Sequence, residues 1–275
     1  MYICRRLKNI SMKNFKIVAL LVFTLSLTSC SITERLIINE DGTGKFAYEI
    51  DGSKMMSMMG GAMKSDDSSD KKEKKAIDST FTFKEIFAEK KDSIAKLPLE
   101  EQEKIKKMEK FSMRMLVDEE NGKMNYTMFT DFTSLNELQN IMSPFETMKS
   151  MSPDGKKADG LGMNSDAFGG DSSASFFYDG KTFSKKVAKK IVEKNIEEDE
   201  ENGEANELAD KMKESMEMVF LESNFKVVYQ FPKPVKKVSN KTALYSEDRK
   251  TITIEYPLKD YMENPSSLTL DVEFQ

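Results

Sequence analysis

The chain has 275 residues, with 42 Lys and Arg against 47 Asp and Glu and a net charge of −5. That balance disfavours nucleic acid and anionic lipid headgroups as partners. Histidine is absent, which excludes Ser-His-Asp and Cys-His nucleophiles, imidazole bases and nearly every zinc site.

The first element is a leader. Lys13 and Lys16 precede an apolar run, Ile17 to Leu27, which ends in Leu27-Thr28-Ser29-Cys30. A basic start, an apolar run and small residues make a secretory signal. The run is too short to cross a bilayer, which takes ~20 apolar residues. Residues 1–29 are therefore expected to be removed, with Met12 as an alternative true start. The Leu27-Thr28-Ser29-Cys30 ending resembles the lipobox of bacterial lipoproteins cleaved by signal peptidase II. That resemblance implies a diacylglycerol thioether on Cys30, with further acylation of the palmitate kind. Acyl burial is worth ~0.8 kcal/mol per methylene, so several chains hold a protein firmly. In such lipoproteins an Asp after the cysteine favours the inner membrane. Ser31 stands there instead, which implies the outer membrane. A periplasm-facing anchor is the expectation, and surface exposure stays open. Losing Arg5, Arg6, Lys8, Lys13 and Lys16 moves the net charge from −5 to near −10. Cys30 is then the one cysteine left, so no disulfide can form.

The mature part, residues 30–275, reads as a single domain of hairpins and helices. Thr33 to Asn39 is a strand, Asp41-Gly42-Thr43-Gly44 a turn, and Lys45 to Ile50 the return strand. Ser31 and Ile32 alone separate Cys30 from that first strand. At ~3.3–3.6 Å per extended residue, the tether reaches roughly 10 Å. The domain should ride close to its membrane.

Asp51-Gly52-Ser53 caps a short Met-rich segment, and residues 64–76 read as a flexible polar loop. Thr80 to Phe83 is a short strand and Lys84 to Lys110 is mostly helical, with Pro98 opening its second part. Phe111 to Val117 and Met124 to Phe129 make a second hairpin around Glu120-Asn121-Gly122. The stretch Asp131 to Ser134 caps a helix carrying Leu135, Leu138, Ile141 and Met142 on one side. Residues 150–175 form a second long polar loop.

A third hairpin pairs Ser175 to Tyr178 with Lys181 to Phe183. A charged helix over Lys185 to Asn206 follows, loosened near 193–206, and then a helix with Leu208, Met212, Met216 and Val219 at helical spacing. The end is β-rich: Asn224 to Phe231, Val235 to Val238, a fourth hairpin of Ala243 to Tyr245 with Thr251 to Tyr256, a helical turn from Asp260, and a last strand, Leu268 to Phe274.

The fold class is therefore α+β, of antiparallel hairpins with packed helices and long polar loops. Twice a hairpin ends in a capping Asp, at Asp51 and at Asp131. Two ββα-like units and mere shared turn chemistry both account for this, and both readings stay open.

Met55, Met56, Met58 and Met59 are the most unusual cluster. Thioethers bind Cu(I), yet no histidine is present to complete a site. Packing in a core or loop is the plainer reading, followed by an adaptable ligand- or membrane-facing segment. The Asp41 to Gly44 loop fails the EF-hand template, because Ile37 takes the first ligand position, and it lacks a P-loop ending. No metal or cofactor is expected. Asp78-Ser79-Thr80 and Asp92-Ser93-Ile94 resemble the short O-glycosylation acceptors of Bacteroidetes.

A lipobox, a prompt strand, an Asp-Gly-x-Gly hairpin and a late strand ending in Phe231-Pro232 before Val235 together resemble uncharacterised envelope lipoproteins, including the LppM-type domain. The resemblance covers the two ends of the mature chain and implies contact with envelope lipids. The functional expectation is a lipid-anchored, non-enzymatic protein that binds an amphiphile or an envelope partner. The alternatives are an assembly adaptor without a pocket and a carboxylate-based glycan hydrolase. The last needs two carboxyls ~5–9.5 Å apart in a cleft, and no pair stands at meaningful spacing.

Overall fold

The structure is a computed structural model that describes residues 31–54, 56–57, 76–139, 141–142, 172–189, 218–219 and 221–275. The leader, Leu27, Thr28, Ser29 and Cys30, together with Met55, Met58 and Met59, lie outside the described residues, as does the loop near 193–206. So do most of the polar loops expected at 64–76 and 150–175.

The architecture is α+β with strands dominant. Two sheets hold it together. The larger has eight strands in the order β11-β12-β9-β1-β2-β5-β4-β3, and the smaller has five in the order β10-β13-β8-β7-β6. Along the chain these are β1 (Ser31–Ile38), β2 (Gly44–Asp51), β3 (Ala76–Thr82), β4 (Ser112–Asp118), β5 (Lys123–Phe132), β6 (Ile141–Met142) and β7 (Ser172–Tyr178). The rest are β8 (Thr182–Lys189), β9 (Asn224–Gln230), β10 (Val235–Val238), β11 (Leu244–Tyr245), β12 (Thr251–Pro257) and β13 (Leu270–Phe274). Among the described residues the helices are short: α1 (Phe83–Glu89), α2 (Lys91–Ile94), α3 (Leu99–Met108) and α4 (Leu258–Glu263).

All four expected hairpins are present. In the second, Gly122 takes φ +61°, the left-handed conformation that the Asn-Gly turn needs. β1 pairs antiparallel with β2, β2 with β5, and β5 with β4. The first two hairpins therefore stand back to back through their return strands. One pairing is not a hairpin. β1 runs parallel to β9, with Ser31 opposite Asn224 and Leu36 opposite Tyr229. The first described strand and a late one thus share the middle of one sheet.

Three expectations need correction. Lys185 does not start a helix: it lies inside β8, where Phe183, Lys185 and Val187 fall on one face by the two-residue period of a strand. Leu135 to Met142 is not one helix. Leu135–Leu138 is a single 3-10 turn capped by Ser134 and Glu137, and the chain then extends as β6 against β7. Gln139 Nε2 donates to the Phe176 carbonyl at 2.6 Å, and Ile141 pairs with Ala174, so sheet hydrogen bonds replace helical ones. The second ββα-like unit thus ends in a 3-10 turn and a strand, not in an α-helix. Residues 172–175, expected at the end of a polar loop, are the first half of β7.

The inner faces of the two sheets form one apolar core. Aromatic rings interlock across it: Phe46 of β2 meets Phe176 of β7, and Phe183 of β8 meets Tyr229 and Phe231. Phe46–Phe176 at 5.7 Å and Phe183–Tyr229 at 5.4 Å have the edge-to-face geometry that ring quadrupoles favour, and Phe183–Phe231 is tilted at 5.1 Å. Phe225 stacks on Tyr261 of α4 at 4.5 Å, which seats that helix on β9.

Candidate functional site

Among the described residues, Glu34 and Lys185 are the charged side chains that are buried, each 1% exposed. They sit on opposite sheets. Glu34 points inward from β1 on the same face as Ile32, Leu36 and Ile38, and Lys185 does so from β8. β8 is the middle strand of the smaller sheet, and β1 is fourth of eight in the larger. Lys185 Nζ donates to both carboxylate oxygens of Glu34 at 2.8 Å. The Tyr229 hydroxyl donates to Glu34 Oε1. Tyr48 lies opposite Glu34 in the β1–β2 register.

The ammonium also has aromatic company. It lies 5.8–6.0 Å from the ring centroids of Phe176, Phe225 and Tyr229, within range of a cation–π attraction. Burial pushes the Lys185 ammonium below its ordinary value, and the adjacent Glu34 carboxylate opposes that shift. The Tyr48 and Tyr229 hydroxyls are pushed well above theirs, first by burial and then by the negative charge of Glu34. At neutral pH both phenols therefore stay protonated and can donate.

Glu34, Tyr48, Ser172, Lys185, Phe225 and Tyr261 line a small cavity with about 10 Å3 open to the centre of a water, room for one. A carboxylate, an ammonium and two phenols could in principle move protons. Here they saturate one another in a space of single-water size, so the arrangement works as a clamp between the sheets. Among the described residues no group of three or more Asp, Glu, Cys or His side chains could hold a metal ion. No described helix is long and apolar enough to cross a membrane.

The second notable region is the end of the larger sheet where β1 begins. β1 starts at Ser31, so the two-residue spacer expected after Cys30 is already strand. Next to Ser31 lies Asn224, the first residue of β9. The chain entering β9 is a helical turn in which Val219 is buried, whereas Met218 and Leu221 are 57% and 60% exposed. Lys54 and Glu222 form an ion pair that ties this turn to the segment following β2.

Of the Met cluster, Met56 is described. It is half-buried in a helical turn, its N–H donating to the Gly52 carbonyl at 3.0 Å. Asp51 caps that turn, accepting from the Ser53 N–H at 3.0 Å.

Sequence reasoning missed the Glu34–Lys185–Tyr229 cluster. The signal was parity: Glu34 stands between Ile32 and Leu36, and Lys185 between Phe183 and Val187, each on the apolar face of its strand.

No protein-family model and no curated protein sequence matches the chain. Among solved structures, the NMR structure of the folded domain of the Mycobacterium tuberculosis LppM protein is similar at a TM-score of 0.34 with 6% identity, over 90% of this chain and 89% of that one.

Proposed function

We propose that the protein is a non-enzymatic envelope lipoprotein. Cys30 carries the lipid, and the domain binds an envelope partner or an amphiphile at the surface of the outer membrane, facing the periplasm. The observation that carries this reading is the start of β1 at Ser31, in the interior of the larger sheet. A chain with a lipobox cysteine directly before a core strand has no leash, so the anchor would fix the domain against its bilayer. The small cavity between the sheets favours recognition on the outside of the domain over enclosure of a ligand there. The same feature supports the second reading, an assembly adaptor.

The test is the Cys30→Ala variant in fractionated cells, with intact-mass measurement of the native protein. The native protein is expected to carry acyl mass and to partition with membranes, and the variant to leave them. A variant that stays with membranes, or a native protein without acyl mass, overturns the proposal. Crosslinking in cells, followed by native mass spectrometry, then separates a bound amphiphile from a protein partner.

A further inference from the structure

The strand register defines what lies beside the anchor. Ser31 pairs with Asn224, and Asp51 with Asn125. One step further out, Ile77 pairs with Val117, Val117 with Met124, and the Gly52 N–H donates to the Met124 carbonyl at 2.7 Å. The last paired row beyond it, Ala76 with Asp118 and Asp118 with Lys123, forms the outer rim of the sheet at the end where β1 starts, and Ile77 lies one step inside it. Two exposed apolar residues, Met218 and Leu221, stand at the same rim on the turn entering β9, and a third, Ile77, is 40% exposed on β3.

We infer that this rim is a bilayer-contacting face, with Met218 and Leu221 inserted among the lipids at the level of the acyl-chain boundary. The inference deepens the anchored reading above and rests on it. Its occupant follows from the chain. Cys30 immediately precedes Ser31, and one extended residue reaches only ~3.3–3.6 Å. A thioether-linked lipid on Cys30 cannot enter a bilayer unless this rim lies on it. The chemistry of the rim selects apolar insertion over headgroup attraction. Asp51, Asp118, Glu119 and Glu222 outnumber Lys54 and Lys123 there, so anionic lipid offers no gain. Met and Leu are unbranched at Cβ and adapt to disordered acyl chains.

The absence of tryptophan makes the test clean. Acylated protein starting at Cys30 is reconstituted into phosphatidylcholine vesicles containing bromine-labelled acyl chains, as Leu221→Trp, Met218→Trp or Phe177→Trp. Phe177 is 55% exposed at the opposite end, beside Tyr178, whose ring meets Phe274. All three sites are exposed, so substitution does not disturb the core.

The Leu221→Trp and Met218→Trp proteins are expected to emit at shorter wavelength and to lose most of their emission to the bromines. The Phe177→Trp protein should keep its emission. Quenching in the first two should also be unchanged between about 0.05 and 0.5 M salt, a range over which the screening length shrinks about threefold. If vesicle-bound, acylated Leu221→Trp and Met218→Trp stay as bright as Phe177→Trp, the rim does not touch the bilayer and the inference is wrong. Quenching that disappears at high salt overturns apolar insertion in favour of a charge-driven contact. Protein that lacks acyl mass and does not float with the vesicles overturns the anchor itself, and the inference with it.

Discussion

Lys185 is the residue that decides how the two sheets meet. A buried ammonium costs several kcal/mol of hydration, and its carboxylate partner returns that cost only with good geometry and further hydrogen bonds. Here both oxygens of Glu34 are engaged, one of them twice. Removing one partner leaves the other charge buried and unpaired. Glu34→Gln and Lys185→Met should therefore each cost about 3–5 kcal/mol. The double variant should recover most of that loss, because no orphan charge remains. Urea unfolding of the four proteins checks this, and strictly additive losses would sink the clamp. The pair was hidden in the sequence for a physical reason. Charged residues are almost never fully buried, and the partner that permits it lies 151 residues away. Local pattern alone made the Lys-rich stretch after Phe183 look like a solvated helix.

At the scale of elements, the hairpins were readable because their turns are local chemistry, and the helix after β5 was not. Leu135, Leu138 and Ile141 are buried as their spacing requires, yet a 3-10 turn and a strand bury the same three residues. Pairing to β7 decided between them, and the two residues it uses there, Ser173 and Ala174, lie in a stretch whose composition reads as loop. The capping signal held at Ser134 but not at Asp131, which lies inside β5 opposite Lys45 and forms an ion pair with it. Glu137 accepts from the Thr133 N–H and hydroxyl, and Lys110 donates to its other oxygen. The Thr133 hydroxyl and N–H, then Lys110, hold its carboxyl down at about 2.

A depressed carboxyl contributes its stability fully above its unfolded value of about 4.3 and loses it as the pH falls toward the folded value. Acidification from about pH 5 to 3 should therefore destabilise the native protein more than Glu137→Gln, by comparison of urea midpoints. Equal losses in the two proteins would show that the cap does not depend on an ionised carboxylate. A second element-level test sits at the start of β2. A Cβ on Gly44 would lie 1.9 Å from the Ile37 carbonyl oxygen and 2.4 Å from Phe132 Cζ. Backbone cannot yield as a side chain does, so Gly44→Ala should cost about 3 kcal/mol, the upper range of overpacking. A melting temperature unchanged from native would mean that the β1–β2 contact is looser than described.

Over the whole molecule, the order of strands in space departs most from their order in sequence. Tyr229 and Glu34 are hydrogen-bonded although 195 residues apart. No local pattern carries that information, which is why the parallel β1–β9 pairing was not legible while each strand was. It also makes the first described strands and the last ones mutually dependent. Without β9, β1 has one open edge in the interior of the larger sheet. Without β13, β8 loses one neighbour and the core loses Leu270, Val272 and Phe274. Loop closure must be completed before such contacts contribute, so folding should be slow, in the ms–s range or beyond. A fragment of residues 31–189 should then lack a cooperative unfolding transition by circular dichroism, because the clamp at Glu34 has lost Tyr229 and the sheets have lost their shared aromatic layer. A fragment that melted cooperatively near the native temperature would show that the first hairpins carry a core of their own, and that the late strands are an addition to it and not its other half.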